Sequence, residues 1–275
     1  MLTQKFPFLL PLRIVQRKAF FYTEMRWDRH IYAKTLQAEA LPYHLFSADN
    51  GLYNTDTGFD MVYQDNKVHN LQLAAKFLDG LLIQPGETFS FWQAVRHADK
   101  HRPYKDGLVV QDGQLCVAYG GGLCQMSNLL FWVFLHAPFT IVERHTHRKK
   151  DFPTMRDAEP EGVDATVSEG WLDLKVKNVT DHTFQIGISF TDTTITCSLF
   201  ADKPLPIQYE ILGKDLRYFR KDSTVYQEIS IYRREIDMDT QETIAEEQLY
   251  TNLCAITYPL PDDTPIMAYG LGASI

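Results

Sequence analysis

Apolar residues recur along this chain with two different periods, and the change from one to the other divides it. Between residues 66 and 81, Val68, Leu71, Ala75 and Leu78 fall at three- and four-residue intervals, which predicts a helix with one packed face and Gly80 as its stop. Met126, Leu129, Leu130, Val133, Phe134 and Ala137 predict a second helix with one buried face, ended by Pro138. Residues 11–36 also read as helical, with Ile14, Phe21 and Met25 among Arg13, Arg17, Lys18, Arg26, Arg29 and Lys34. From residue 164 onward the period becomes two. Leu172, Leu174 and Val176 share one face, Phe184, Ile186, Ile188 and Phe190 another, and Ile195, Cys197 and Leu199 follow, which predicts an antiparallel meander. Further strands are expected at 207–211, 225–236 and 254–258, with a turn at 237–242.

The intervening stretches are punctuated by turn residues. Residues 41–61 carry Asp49-Asn50-Gly51 and Asp56-Thr57-Gly58 and read as turns and loops. Pro85-Gly86 forms a turn that feeds a short aromatic strand or loop at 89–92. Residues 105–117 form a hairpin about Asp112-Gly113, 140–144 a strand, and 148–161 an exposed loop with Pro153 and Pro160, placed to cover a site beside it. These elements define an α+β chain in three parts: a helical and turn-rich segment at 1–60, a core at 61–200, and a β unit at 201–275 packed on the core.

Composition narrows the classes. The hydrophobic fraction of 45% is that of a globular protein, and a net charge of −8 argues against nucleic-acid binding. The four cysteines are widely spaced without a C-x-x-C pair, a usage that suits free thiols in a reducing compartment. No secretory signal or spanning segment is visible, so the expectation is a soluble, cytoplasmic protein. The basic helix at 11–36 has the make-up of a membrane-surface helix, but the commoner use of such a pattern is a solvated face of a helix packed on its own protein. The sequence leaves the oligomeric state open. No cofactor motif is present and none is expected.

One stretch concentrates the chemistry. Gly120-Gly121-Gly122 delivers Cys124 to the first turn of the apolar helix, where free backbone N–H groups and the helix dipole favour an anion and lower a thiol pKa. The bland alternative is a small buried hydrophobe capping a core helix. After Cys124 come His145-Thr146-His147 and then Asp164. Cysteine at a helix start, then histidine, then an acid is the chain order of papain-like and transglutaminase-like thiol enzymes. Two histidines at i and i+2 on a strand also suit a metal, with Cys124 or Asp164 as a third ligand, but the remaining histidines sit in unremarkable surroundings and no metal is expected. L,D-transpeptidase-like chemistry is disfavoured, because there the histidine precedes the cysteine.

Three blocks together resemble the VanW family: residues 70–76 with 82–91; residues 120–130 with Glu143-Arg144 and His147; and residues 164–167 with 171–178. The resemblance falls on Arg144 and His147 and not on His145, and a longer, charged segment separates His147 from Asp164 than the family pattern shows. It implies an accessory role in vancomycin resistance, and a peptidoglycan precursor or peptide as partner, without implying a reaction. Joined to the residues, it gives Cys124 as nucleophile, His147 as base and Asp164 as orienting acid. Arg144 is expected to take a substrate carboxylate or form an ordinary salt bridge. Gly121 and Gly122 would admit a substrate backbone, with Gln125 and Asn70 assisting an oxyanion hole. The rival is a non-catalytic module that binds a wall precursor or a resistance-protein partner in the same place.

Overall fold

The computed structural model of the protein describes residues 10–111, 114–150 and 159–268. Its architecture is α+β, with four helices and fifteen strands among the described residues. The helices are α1 (Leu10–Trp27), α2 (Val62–Leu78), α3 (Phe91–Val95) and α4 (Leu123–Leu135).

Helix α4 is the centre. Ten of its thirteen residues are buried, on all sides and not on one face only as the periodicity suggests. It packs against α2 and against two strands of one sheet, β2 (Tyr43–Gly51) and β11 (Thr194–Ala201), which with β10 (Phe184–Phe190) and β3 (Leu82–Ile83) run in the order β2-β11-β10-β3. A second sheet has the order β1-β4-β9-β7, from β1 (Ile31–Tyr32), β4 (Glu87–Ser90), β9 (Lys175–Asn178) and β7 (Phe139–Glu143). Phe134 of α4 meets Phe89 and Phe139 of this sheet with ring centroids 5.0 and 5.4 Å apart, and Phe139 meets Phe184 of the first at 4.7 Å. These edge-to-face contacts lock helix and both sheets into one core.

The third sheet has the order β15-β12-β13-β14-β8. Its strands are β12 (Ile207–Lys221), β13 (Thr224–Asp237), β14 (Thr243–Ile256) and β15 (Ile266–Ala268), with β8 (Lys149–Lys150) from the core added in parallel at Ala255 and Ile256. A separate hairpin of β5 (Asp106–Gln111) and β6 (Gln114–Tyr119) leads into α4, and its expected turn at Asp112-Gly113 lies outside the described residues.

Several elements differ from the sequence expectation. The first helix stops at Trp27 because the Asp28 carboxylate accepts the His30 N–H (3.1 Å) and the Tyr32 hydroxyl, and the chain continues as β1 beside β4. The turn-rich stretch at 41–61 contains β2, a nine-residue strand held along its whole length by β11. Residues 91–95 are helical because the Ser90 hydroxyl caps α3, accepting the Gln93 N–H at 3.1 Å while donating to Asp173 at 2.5 Å. The meander divides between two sheets after β9, where buried Asn178 donates to the carbonyls of Ile83 (3.0 Å) and His182 (2.7 Å) and turns the chain.

The third-sheet strands expected at 207–211, 225–236 and 254–258 are present, and the first and last of them are longer than expected because the added residues are polar. Arg217 pairs with Glu228, Arg233 with Glu247, and Arg234 with Glu210 and Glu246, so charges face one another across strands where an apolar alternation was sought.

Candidate functional site

The glycines set the entry to α4. A Cβ on Gly121 would stand 2.2 Å from the Gly107 carbonyl carbon, so the turn closes only with glycine. Gly122 caps α4 at φ 96°, a left-handed conformation that favours glycine. The space these two residues open is filled by this chain's own Gly107 and by the Lys67 side chain, and not left for a substrate backbone. Cys124 is thereby fixed as the second residue of α4, half-buried, with Sγ 3.4 Å from Thr166 Oγ1 and 3.5 Å from the Val167 carbonyl oxygen.

Neither His147 nor Asp164 is on a strand. β7 ends at Glu143, and His147 lies in the irregular segment before β8, while Asp164 lies in an irregular stretch opposite it. The two are nonetheless tightly joined. His147 Nδ1 is 2.9 and 3.0 Å from the two Asp164 carboxylate oxygens, and Asp164 Oδ2 also accepts the His147 N–H (2.5 Å) and the Thr146 hydroxyl (3.0 Å). With Nδ1 held by the carboxylate, Nε2 is the ring nitrogen left to face the thiol.

The electrostatics follow this chain of contacts. Burial alone would raise the Cys124 thiol, but hydrogen bonding and charge from His147, with the Thr166 hydroxyl behind them, bring it below the ordinary thiol value. Burial alone would lower His147, and the Asp164 carboxylate and then the Cys124 thiol overcome it, holding the imidazolium well above the histidine range. Asp164 is held below the carboxylate range, against burial, by the same histidine and by the nearby Arg144. Burial moves the other buried cysteines in the opposite direction: Cys197 is raised, and Cys254 is pushed up to about 11. Cys124 is set apart by its charged neighbours.

The remaining expected residues have positions of their own. Among the described residues Arg144 hydrogen-bonds to carbonyl and amide oxygens and to no carboxylate. Its Nε donates to the Asp164 carbonyl at 2.6 Å, its Nη2 to the Gly162 carbonyl at 3.2 Å and to Asn252 Oδ1 at 2.6 Å, and the guanidinium lies 4.0 Å over the Tyr250 ring. Asn70 is fully buried, and its amide bonds the Lys105 N–H and carbonyl and the Gly121 carbonyl, so both its donor hydrogens are engaged within the protein. Gln125 Nε2 donates to the Gly51 carbonyl at 2.7 Å. His145 turns to Glu143 at 3.0 Å, away from the Asp164 carboxylate that holds His147, so the two histidines do not present a shared pair.

Three residues at the site escaped the sequence reading. Thr166 touches the thiol. Ser127 Oγ donates to the Ala165 carbonyl at 2.6 Å, and Asn128 Oδ1 accepts the Ala165 N–H at 2.7 Å, so α4 grips the segment that carries Asp164 and Thr166. The available signal was spacing: Ser127 and Asn128 follow Cys124 at i+3 and i+4, a polar stripe on an otherwise apolar helix.

A cysteine at a helix start, backed by a histidine–carboxylate pair and framed by a glycine-closed turn, defines the class of site. The description "VanW like protein" matches residues 66–200, the span that holds all three residues. The Vancomycin B-type resistance protein VanW of Enterococcus faecalis (strain ATCC 700802 / V583) is 54% identical over 265 residues, covering 96% of each chain. The Uncharacterized protein YoaR of Bacillus subtilis (strain 168) is 37% identical over 113 residues, 41% of this chain and 36% of that one. The chain belongs to the VanW family. No solved structure matches it. No helix among the described residues is long and apolar enough to cross a membrane.

Proposed function

We propose that Cys124, His147 and Asp164 form a thiol acyl-transfer site of the papain-like and transglutaminase-like kind, acting on an amide bond of a peptidoglycan-related peptide. The observation that carries this reading is the bond of His147 Nδ1 to the Asp164 carboxylate, beside a thiol that this histidine holds below its ordinary pKa while burial raises Cys197 and Cys254. The wall-peptide class rests on the resistance role in the name of the Enterococcus faecalis relative. A role in vancomycin resistance for this chain rests on the same likeness.

In the proposed reaction the Cys124 thiolate attacks the amide carbonyl carbon and the C–S bond forms. The oxyanion is met by first-turn backbone N–H groups of α4, since the Asn70 and Gln125 amides are engaged elsewhere. The His147 imidazolium protonates the leaving nitrogen as the C–N bond breaks. Water or an acceptor amine, deprotonated by neutral His147, then attacks the thioester carbonyl, the C–S bond breaks and thiolate returns. Asp164 keeps Nδ1 protonated throughout.

The test is the iodoacetamide labelling rate of each cysteine from about pH 5 to about pH 9, in the native protein and in His147→Ala. Cys124 labelling fastest, already below pH 7, and slowed by roughly tenfold or more in His147→Ala is the expected result. Labelling no faster than a free thiol would replace this reading with a non-catalytic binding role.

A further inference from the structure

Lys67, on α2, lies beside the start of α4. The stem of its side chain covers Gly122, where a Cβ would stand 2.2 Å from Lys67 Cγ. Polar neighbours on the same helix are engaged: Asn66 Nδ2 donates to the Asp106 carbonyl at 2.8 Å, Gln64 Oε1 accepts the Asn54 N–H at 3.2 Å, and Asn70 is tied to Lys105 and Gly121. The Lys67 ammonium has no hydrogen-bonding or ion-pair partner among the described residues. Half-buried Lys150 and Lys175, by contrast, face Glu161 and Glu143. An ammonium drawn out of water without a counter-charge is destabilising, and burial alone lowers this one to about 8. It is still largely charged at neutral pH, and the Gly122 that its stem covers lies two residues before Cys124.

We infer that Lys67 is the carboxylate-recognition residue of the Cys124 site, selecting peptides that carry a free carboxylate close to the amide that is attacked. This rests on the thiol reading above and deepens it. The ammonium supplies the charge, and an anion arriving beside the start of α4 also meets the positive end of that helix. The carboxylate can come from a chain terminus or from an acidic side chain.

Affinity-type alkylating peptides separate these sources and read the two proposals independently. The probes are iodoacetyl-glycylglycine and its C-terminal amide, and iodoacetyl-glutamic acid α-amide and its glutamine counterpart. Each alkylates by displacement of iodide by the thiolate. The readout is the acid-to-amide ratio of Cys124 alkylation rates in the full chain, for the native protein, Lys67→Met and Lys67→Arg, with thermal melts confirming that the variants fold. The native ratio is expected to favour the acid about tenfold in one of the two pairs, identifying the carboxylate source, with the preference lost in Lys67→Met and retained in Lys67→Arg. Rapid alkylation by the amides with no acid preference, or a preference that survives in Lys67→Met, overturns the role of Lys67 and leaves the thiol reading standing. Alkylation no faster than a free thiol with every probe overturns both.

Discussion

At the scale of residues, the behaviour of Cys124 depends on a group it does not touch. Asp164 raises the pKa of His147, and the resulting imidazolium lowers that of the thiol. The ion pair therefore exists in the window above the depressed cysteine pKa and below the raised histidine pKa. Stability follows with opposite signs: the histidine contribution is complete below its unfolded pKa and is lost as pH rises through the folded one, whereas the thiolate contribution is present above its unfolded pKa and lost as pH falls through the folded one. Asp164→Asn keeps the shape of the side chain and removes the charge. His147 should then give up its proton at lower pH, and the midpoint of the Cys124 labelling profile should move upward by about one pH unit or more, measured against the same profile in the native protein. A midpoint that stays put would mean that the carboxylate only fixes the loop. The three relay residues were legible because their types and order are those of known thiol chemistry. Thr166, Ser127 and Asn128 were not, because their function is to hold backbone in place, and a hydroxyl or amide with that task looks like any other in sequence.

At the scale of elements, α4 carries both the core and the nucleophile. Its apolar run was easily read, but its burial on every side was not, because periodicity reports the strongest face and cannot count the layers around a helix. Leu130 is fully buried, and Leu130→Ala should lower stability by about 2–5 kcal/mol in urea unfolding. A loss below ~1 kcal/mol would show a looser centre than the ring contacts among Phe134, Phe89 and Phe139 require. The third-sheet strands show the converse limit. Arg217–Glu228 and Arg233–Glu247 satisfy one another across neighbouring strands, so the strands themselves were legible but the pattern that sets their full length lies between segments.

At the scale of the whole molecule, the candidate site is spread over units that the sequence separates. Arg144 reaches from the Asp164 backbone to Asn252 of β14 and stacks on Tyr250, and β8, two residues after His147, is paired with the end of β14. Replacing Asn252 by leucine leaves part of the Arg144 guanidinium without its acceptor. The expected result is a loss of about 1–3 kcal/mol in urea unfolding together with slower labelling of Cys124, although residue 252 does not touch the thiol. Unchanged labelling at reduced stability would confine the third sheet to a supporting role. The strand pairing of β8 also sets an order of events during synthesis. Residues 255 and 256, which fasten the segment after His147, are made more than a hundred residues after it. Until they arrive the segment after His147 lacks its strand partner and the histidine is held through Asp164 alone, so a chain cut short before residue 255 is expected to label more slowly at Cys124 than the full one.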